Sequence, residues 1–380
     1  METATRHDPT LDGLRGLAAF AVFLYHLLNL SPAVAAFDGP IEFEYYGRNL
    51  DLGVEIFFVL SGYLLSRPFF EAFLTARSGP TIGSYAAKRA LRIYPAWLAF
   101  FAIALLTDQF SEFIVDRGDR IFPNDIVSVG LWATLLHTWF FDPAHSSWTL
   151  SVEVAFYAFL PVFFAILARV ARRPSLRAAL GACASLVVIG AGADWYHSMF
   201  VGFDRFVPAA LVTLGAGMAM GVVAARARVT GKSRPTLPAA GFGWILAASI
   251  FVLMSRFVSK SPYVIFGSLP PPREQFAQGI WQAVVAALVV GAVAFASDRA
   301  LVRRIASWRP LVAFGTISYS FYLWHLAVLY HFDFIGTPGP GRSWWMAAQA
   351  FVLTIVVSIV SYQLIERPAM RFAARQRSRG

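Results

Sequence analysis

Ten stretches of this chain are apolar enough and long enough to cross a bilayer as helices, and that succession leaves few architectures open. They are residues 11–30, 50–73, 90–107, 148–168, 178–197, 205–225, 241–258, 278–296, 311–332 and 344–365. Such a chain is expected to be all-α, a polytopic membrane helical bundle with the lipid bilayer as its solvent. Hydrophobic residues make up 57% of it and charged residues 14%, which excludes a soluble core. No long polar stretch breaks the series, so residues 1–380 read as a single integral-membrane domain with a short cytoplasmic tail at 366–380. No small-residue cleavage site follows the first stretch, which therefore reads as a retained span. The single cysteine, Cys183, lies in an apolar run; that excludes an intrachain disulfide and argues against a thiol metal site.

The net charge of +10 is distributed as a topology signal and not as a nucleic-acid surface. With the N-terminus in the cytoplasm, the loop carrying Arg77, Lys88, Arg89 and Arg92 is inside. A further apolar piece, 125–141, decides the rest. If it crossed, Arg169, Arg172, Arg173 and Arg177 would fall outside, against the positive-inside bias. If it does not cross, that cluster is inside. So are Arg226, Arg228, Lys232 and Arg234, then Arg299, Arg303, Arg304 and Arg309, and the tail from Arg367 to Arg379. The outer side then keeps only Arg48, Arg117, Arg120, Lys260, Arg273 and Arg342. The expectation is about ten spans with both termini cytoplasmic and 125–141 as a re-entrant or interfacial segment on the outer side. Two of the outer connections, SPYVIFGSLPPPRE and GTPGPGRS, are rich in proline and glycine. Arginine far outnumbers lysine, and alanine is abundant, as in a GC-rich bacterial genome. The membrane is accordingly expected to be a bacterial cytoplasmic (inner) membrane.

Ionisable residues inside spans are costly and are functional by default. The first span carries Asp12, Arg15 and His26. Eleven helical steps separate Arg15 from His26, roughly 20° past three full turns, so both lie on one face and about 16 Å apart in depth. The plainer alternative is that Arg15 anchors topology and His26 only packs through a hydrogen bond. Glu153 and Glu55 each lie five residues in from the outer end of a span, and His26 four residues in, so the three are expected at one depth. A carboxylate there fixes an imidazole's tautomer and raises its basicity; the alternative is a structural pairing of each glutamate with an arginine or with water. Arg89 and Arg92, three residues apart, stand with Arg15 at the cytoplasmic surface, and guanidinium forks suit phosphates. Ser61 and Gly62 read first as helix packing. Ser318, Tyr322 and His325 share one face and either line a cavity or make structural hydrogen bonds. His325 has no partner at metal-ligand spacing, so no metal is expected. Glu366 is expected to pair with a basic residue.

Taken in order, LDGLRGLAAFAVFLYH, GVEIFFVLSGYLL, KRALRIYP, SSWTLSVEVAFYAFLP, ISYSFYLWH and IERP resemble the acyltransferase 3 family of membrane O-acyltransferases. The likeness runs from residue 11 to 368. The arginine–histidine spacing of the first span and the arginine-x-x-arginine pair are its two hallmarks. The resemblance implies transfer of an acyl group from cytoplasmic acyl-CoA to a hydroxyl acceptor, commonly a sugar, with His26 as the essential catalytic residue. It implies functional importance for Arg15, Arg89 and Arg92, and a role for Glu153. Some members carry a fused extracytoplasmic esterase-like domain, whereas a short basic tail is expected here; stand-alone members include enzymes that acylate macrolide antibiotics. The expected scheme has the donor's phosphates on Arg15, Arg89 and Arg92 and the pantetheine arm running toward His26. His26 acts as general base or as an acyl-accepting nucleophile, Glu153 orients it, and Glu55, Ser61, Tyr322 and His325 are candidates for the substrate cavity. The thioester supplies the driving force, so neither metal nor ATP is required. A second copy of the chain is a candidate partner. The competing class is a membrane transporter or lipid flippase, which commonly shows internal repeats that this chain lacks.

Overall fold

A computed structural model describes residues 8–30, 46–47, 49–106, 126–139, 147–171, 173–201, 206–232, 235–237, 239–258, 272–332 and 344–376. The helices are α1 (Pro9–Leu30), α2 (Leu52–Leu74), α3 (Ile82–Leu106), α4 (Ile126–Ala133), α5 (Trp148–Val170), α6 (Leu176–Tyr196), α7 (Phe206–Val229), α8 (Gly243–Val258), α9 (Pro272–Phe295), α10 (Leu301–Ala306), α11 (Arg309–Thr316), α12 (Ser318–His331), α13 (Trp344–Ser361) and α14 (Arg367–Gln376). Among the described residues, eight helices are long and apolar enough to cross a membrane, and the pair α11–α12, bent by 74°, makes up to nine. The protein is therefore a multi-pass membrane protein. Every span expected from the sequence has a counterpart, but two differ in form. Residues 311–332 are broken at Ile317, and residues 241–258 form a shorter apolar helix. The piece at 125–141 folds into the eight-residue α4 and a 3-10 turn, His137–Trp139. Eight residues reach only about 12 Å, too short for a core of roughly 30 Å. The proline- and glycine-rich connections at 259–271 and 333–343, together with Arg48, Arg117, Arg120, Lys260 and Arg342, lie outside the described residues.

The chain groups into two compact units. The first comprises residues 1–22, 45–77 and 173–318, hence the start of α1, then α2 and α6 to α11. Leu14, Ala18, Val59, Leu60, Val285, Ala286 and Val293 form its core. With lipid as solvent, helices gain by close packing more than by hiding apolar surface, and small residues allow that approach. In α2 and α7 the small residues interlock. Gly62 sits against the Leu214 carbonyl, Gly217 against the Val59 carbonyl, and Gly221 against Ser66. The packing reading of Gly62 is thus what the structure displays. The N-terminal end of α1 is clamped by Arg303, a buried side chain that donates to the Asp8 carboxylate at 3.0 Å and to the Val293 carbonyl at 2.6 Å. Burial works to raise the Asp8 carboxyl, but hydrogen bonds from Thr10 and Arg303 and the Arg303 charge outweigh it and hold the group below its ordinary value. On α6, Val188 and Ile189 are exposed while Cys183 is buried, an apolar outer face suited to acyl chains.

The second unit comprises residues 23–44, 78–172 and 319–380, hence the end of α1 with α3, α4, α5, α12, α13 and α14. Aromatic rings fill it. Phe23 of α1 meets Phe321 of α12 and Phe351 of α13 at 5.7 and 5.2 Å between centroids. Trp97 is fully buried on α3 and donates its indole N–H to the Trp132 carbonyl at 3.1 Å, latching α4 to α3. A π-helical turn, Tyr362–Glu366, joins α13 to α14 and delivers Glu366 into the interior, 1% exposed.

Candidate active site

Two imidazoles meet in the second unit. His26, near the end of α1, lies with Nδ1 3.1 Å from Nε2 of His325 on α12. His325 is buried, and its Nδ1 is 2.7 Å from the carbonyl oxygen of Tyr322, one turn back. That carbonyl can only accept, so Nδ1 of His325 carries the hydrogen. In a neutral His325, Nε2 is then the acceptor, and Nδ1 of His26 must donate to it. The basic lone pair of His26 is therefore fixed at Nε2. Two hydrogen bonds and one backbone carbonyl set the tautomer a general base needs, the task a carboxylate performs in other catalytic histidines. The sequence offered His325 as a cavity-lining residue or a maker of a structural hydrogen bond. Its face on α12 was legible, but no spacing rule links position 325 to position 26. Tyr322 shares a hydrogen bond of 2.7 Å between its hydroxyl and Thr149 on α5, which places a phenol beside the pair.

Glu153 stands elsewhere on α5. It accepts from the Tyr157 hydroxyl at 2.5 Å, and its charge reaches Tyr319. Glu153 lies one turn beyond Thr149 on α5, and its partner Tyr157 is one of the two rings over which Arg89 lies. Arg89 lies over the rings of Tyr85 and Tyr157, at 6.0 and 5.9 Å from their centroids. Arg92 lies 5.9 Å over Tyr319, 3.6 Å from Glu366, and donates to the Met370 sulfur at 3.0 Å. Glu366 accepts from Ser320 as well, so its expected partnership with a basic residue is found on α3. Arg89 and Arg92 thus stand among tyrosine rings, and guanidinium groups of this kind suit phosphate.

Three of the expected site residues belong to the first unit. Arg15 is half-buried and ion-paired with Asp12 at 3.2 Å, one turn earlier on α1. Since α1 is one continuous helix, the Arg15 to His26 rise of about 16 Å stands as computed from the sequence. Glu55 and Ser61 are half-buried on α2. Near Glu55, at the same end of α2, Asp51 accepts from Gln282 at 2.7 Å. Among the described residues no group of three histidine, cysteine or carboxylate side chains is placed to hold a metal ion.

A family model described as an acyltransferase domain matches residues 8–363. The protein YrhL of Bacillus subtilis is 28% identical over 96% of this chain and 55% of its own length. The peptidoglycan O-acetyltransferase OatA of Listeria monocytogenes is 26% identical over 97% of this chain and 57% of its own. The acyltransferase MdmB of Streptomyces mycarofaciens is 27% identical, over 97% of this chain and 93% of its own. The chain thus spans little more than half the length of the first two relatives. No solved structure matches it.

Proposed function

The chain belongs to the family defined by that acyltransferase domain, and from this membership we propose that it is an integral-membrane O-acyltransferase. Its donor is cytoplasmic acyl-CoA, and its acceptor is a hydroxyl of a sugar-containing molecule, a cell-surface glycan or a glycosylated natural product such as a macrolide. The observation that carries the reading is the His26–His325 pair, an imidazole inside a membrane bundle with its basic nitrogen fixed at Nε2. In the proposed scheme the donor's phosphates rest on Arg89 and Arg92. Glu153 and Glu366 balance these cations while the site is empty of anions. The pantetheine arm runs from there toward His26. Nε2 of His26 takes the proton of the acceptor hydroxyl, whose oxygen attacks the thioester carbonyl carbon. The carbon–sulfur bond breaks, and the thiolate receives the proton. The Tyr322 hydroxyl is the donor proposed for the developing oxyanion. The membrane is a bacterial inner membrane with both termini in the cytoplasm. The test is mass spectrometry of glycans and metabolites from a host carrying the parent protein or His26→Ala. Products heavier by one acyl group in the parent alone are expected. Movement of an unmodified acceptor that survives His26→Ala would mark a transporter and overturn the reading.

A further inference from the structure

A second imidazole–hydroxyl centre stands in the same unit, and the scheme above does not use it. His137, on the 3-10 turn after α4, lies with Nε2 2.8 Å from Oγ of Ser147, at the start of α5. Both are buried, 3% and 2% exposed. The imidazole is held flat. Trp132 stacks on it at 3.8 Å between centroids and 4° between planes, and Trp97 lies parallel at 6.3 Å and 14°. The backbone that presents His137 is strained, because Leu135 has a φ of 61°, in the left-handed region where branched side chains are rarely found. Such strain persists only where surrounding contacts enforce it, and it clusters at functional sites. Here the Trp97 indole grips the Trp132 carbonyl at 3.1 Å, and the Tyr94 hydroxyl grips the Thr134 carbonyl at 3.1 Å, both just before Leu135. A serine that is to attack a carbonyl needs an imidazole held within hydrogen-bond reach as its base, and this pair meets that requirement.

The centre adjoins the first. Two residues beyond Ser147, Thr149 bonds Tyr322, one turn from His325, which bonds His26. We infer that Ser147, with His137 as its base, is a nucleophile that holds the acyl group as an ester between donor and acceptor. The inference rests on the acyl-donor reading above and replaces the direct attack on the thioester by two steps. In the first, Ser147 Oγ attacks the thioester carbonyl carbon, the carbon–sulfur bond breaks, the serine proton goes to His137 Nε2, and the thiolate leaves. In the second, the acceptor hydroxyl gives its proton to His26 Nε2 and attacks the serine ester. The ester bond to Oγ breaks, and His137 returns the proton to Ser147. The proton left on His26 matches the thiolate released in the first step, so atoms and charge balance.

The test uses the full chain in lipid nanodiscs and two probes. A fluorophosphonate reports on the serine whatever the natural donor is. Labelled acetyl-CoA, followed by acid quench and peptide mass spectrometry, reports on the ester. The expected result is fluorophosphonate on Ser147, lost in His137→Gln, and an acetyl ester on the same peptide. Ser147→Ala should lose both and reduce transfer by about 100-fold or more. Ser147→Cys should restore an acyl adduct, now a thioester, which shows that the variant scaffold folds. Coenzyme A release by Ser147→Ala at the parent rate, with no adduct on either probe, would overturn the serine centre and leave the acyltransferase reading intact. Fluorophosphonate labelling of Ser147 without coenzyme A release would overturn acyl-CoA as donor and leave the serine centre standing.

Discussion

At the scale of single residues, the site's chemistry depends on which nitrogen carries which hydrogen. In the proposed scheme His325 is a positioning residue, because it touches His26 and acts through it. His26→Ala should reduce transfer by about 100- to 10,000-fold, the range for loss of a general base. His325→Ala should cost about 10- to 100-fold, as loss of an orienting partner does. His325→Gln should recover part of that, since an amide oxygen still accepts from His26 Nδ1, whereas Ala cannot. Steady-state kinetics across pH would check this. A merely structural His325 would leave the pH profile unmoved in both variants. For the arginines, Arg89→Ala and Arg92→Ala should raise the KM for acyl-CoA and change kcat less. Lysine at either position should rescue only in part, because an ammonium cannot present a fork or stack as a plane on Tyr157 or Tyr319. Equal acyl-CoA affinity in all four variants would remove the phosphate role. Asp8 gives a stability prediction. Its folded pKa lies below the unfolded value of about 3.9, so its contribution is complete above that pH and fades as pH falls through the folded value. Asp8→Asn should cost about 1–3 kcal/mol at neutral pH and flatten the acid limb of a melting curve against pH, because Arg303 would lose a charged partner while buried.

At the scale of elements, α2 and α7 approach so closely in the first unit that their glycines have no room for a side chain. Gly217→Leu should lower thermal stability by about 1–3 kcal/mol or more, since the side chain would have to displace the Val59 carbonyl and with it the helix. A melting temperature equal to the parent's would mean that the helices can part without loss. The same comparison shows what a sequence can and cannot reveal about elements. Spans were legible because an uninterrupted apolar run has one physical use in such a chain. The break at Ile317 was not, because it arises where α11 must lay Gly315 against the Asp12 backbone, a contact with a residue some three hundred positions away. Arg15 and His26 could be placed on one face by arithmetic alone. The partner of His26 could not, since pairing across helices depends on rotation and depth that no local pattern records. Glu153 shows the same limit: its distance from the end of its span was readable, and its hydrogen bond with Tyr157, beside Arg89, was not.

At the scale of the whole molecule, arginine clusters make the topology testable. Cysteines placed at 173 and 228 should react from the cytoplasmic side and one at 260 from the outer side. Cys183 is buried and should stay silent toward charged thiol reagents. Reaction of position 173 from outside alone would make 125–141 a crossing and invert everything after it. A membrane enzyme with titratable groups in its interior also faces a bioenergetic hazard. A string of imidazoles that reached both surfaces would leak protons and discharge the gradient across the bilayer. The string here runs from His26 through His325 to a backbone oxygen. A proton taken up at His26 can pass to His325, but the next atom along this line is the Tyr322 carbonyl oxygen, which has no hydrogen to hand on. The line is a cul-de-sac. In the proposed scheme it lets one histidine trade protons with a substrate without handing them on along this line.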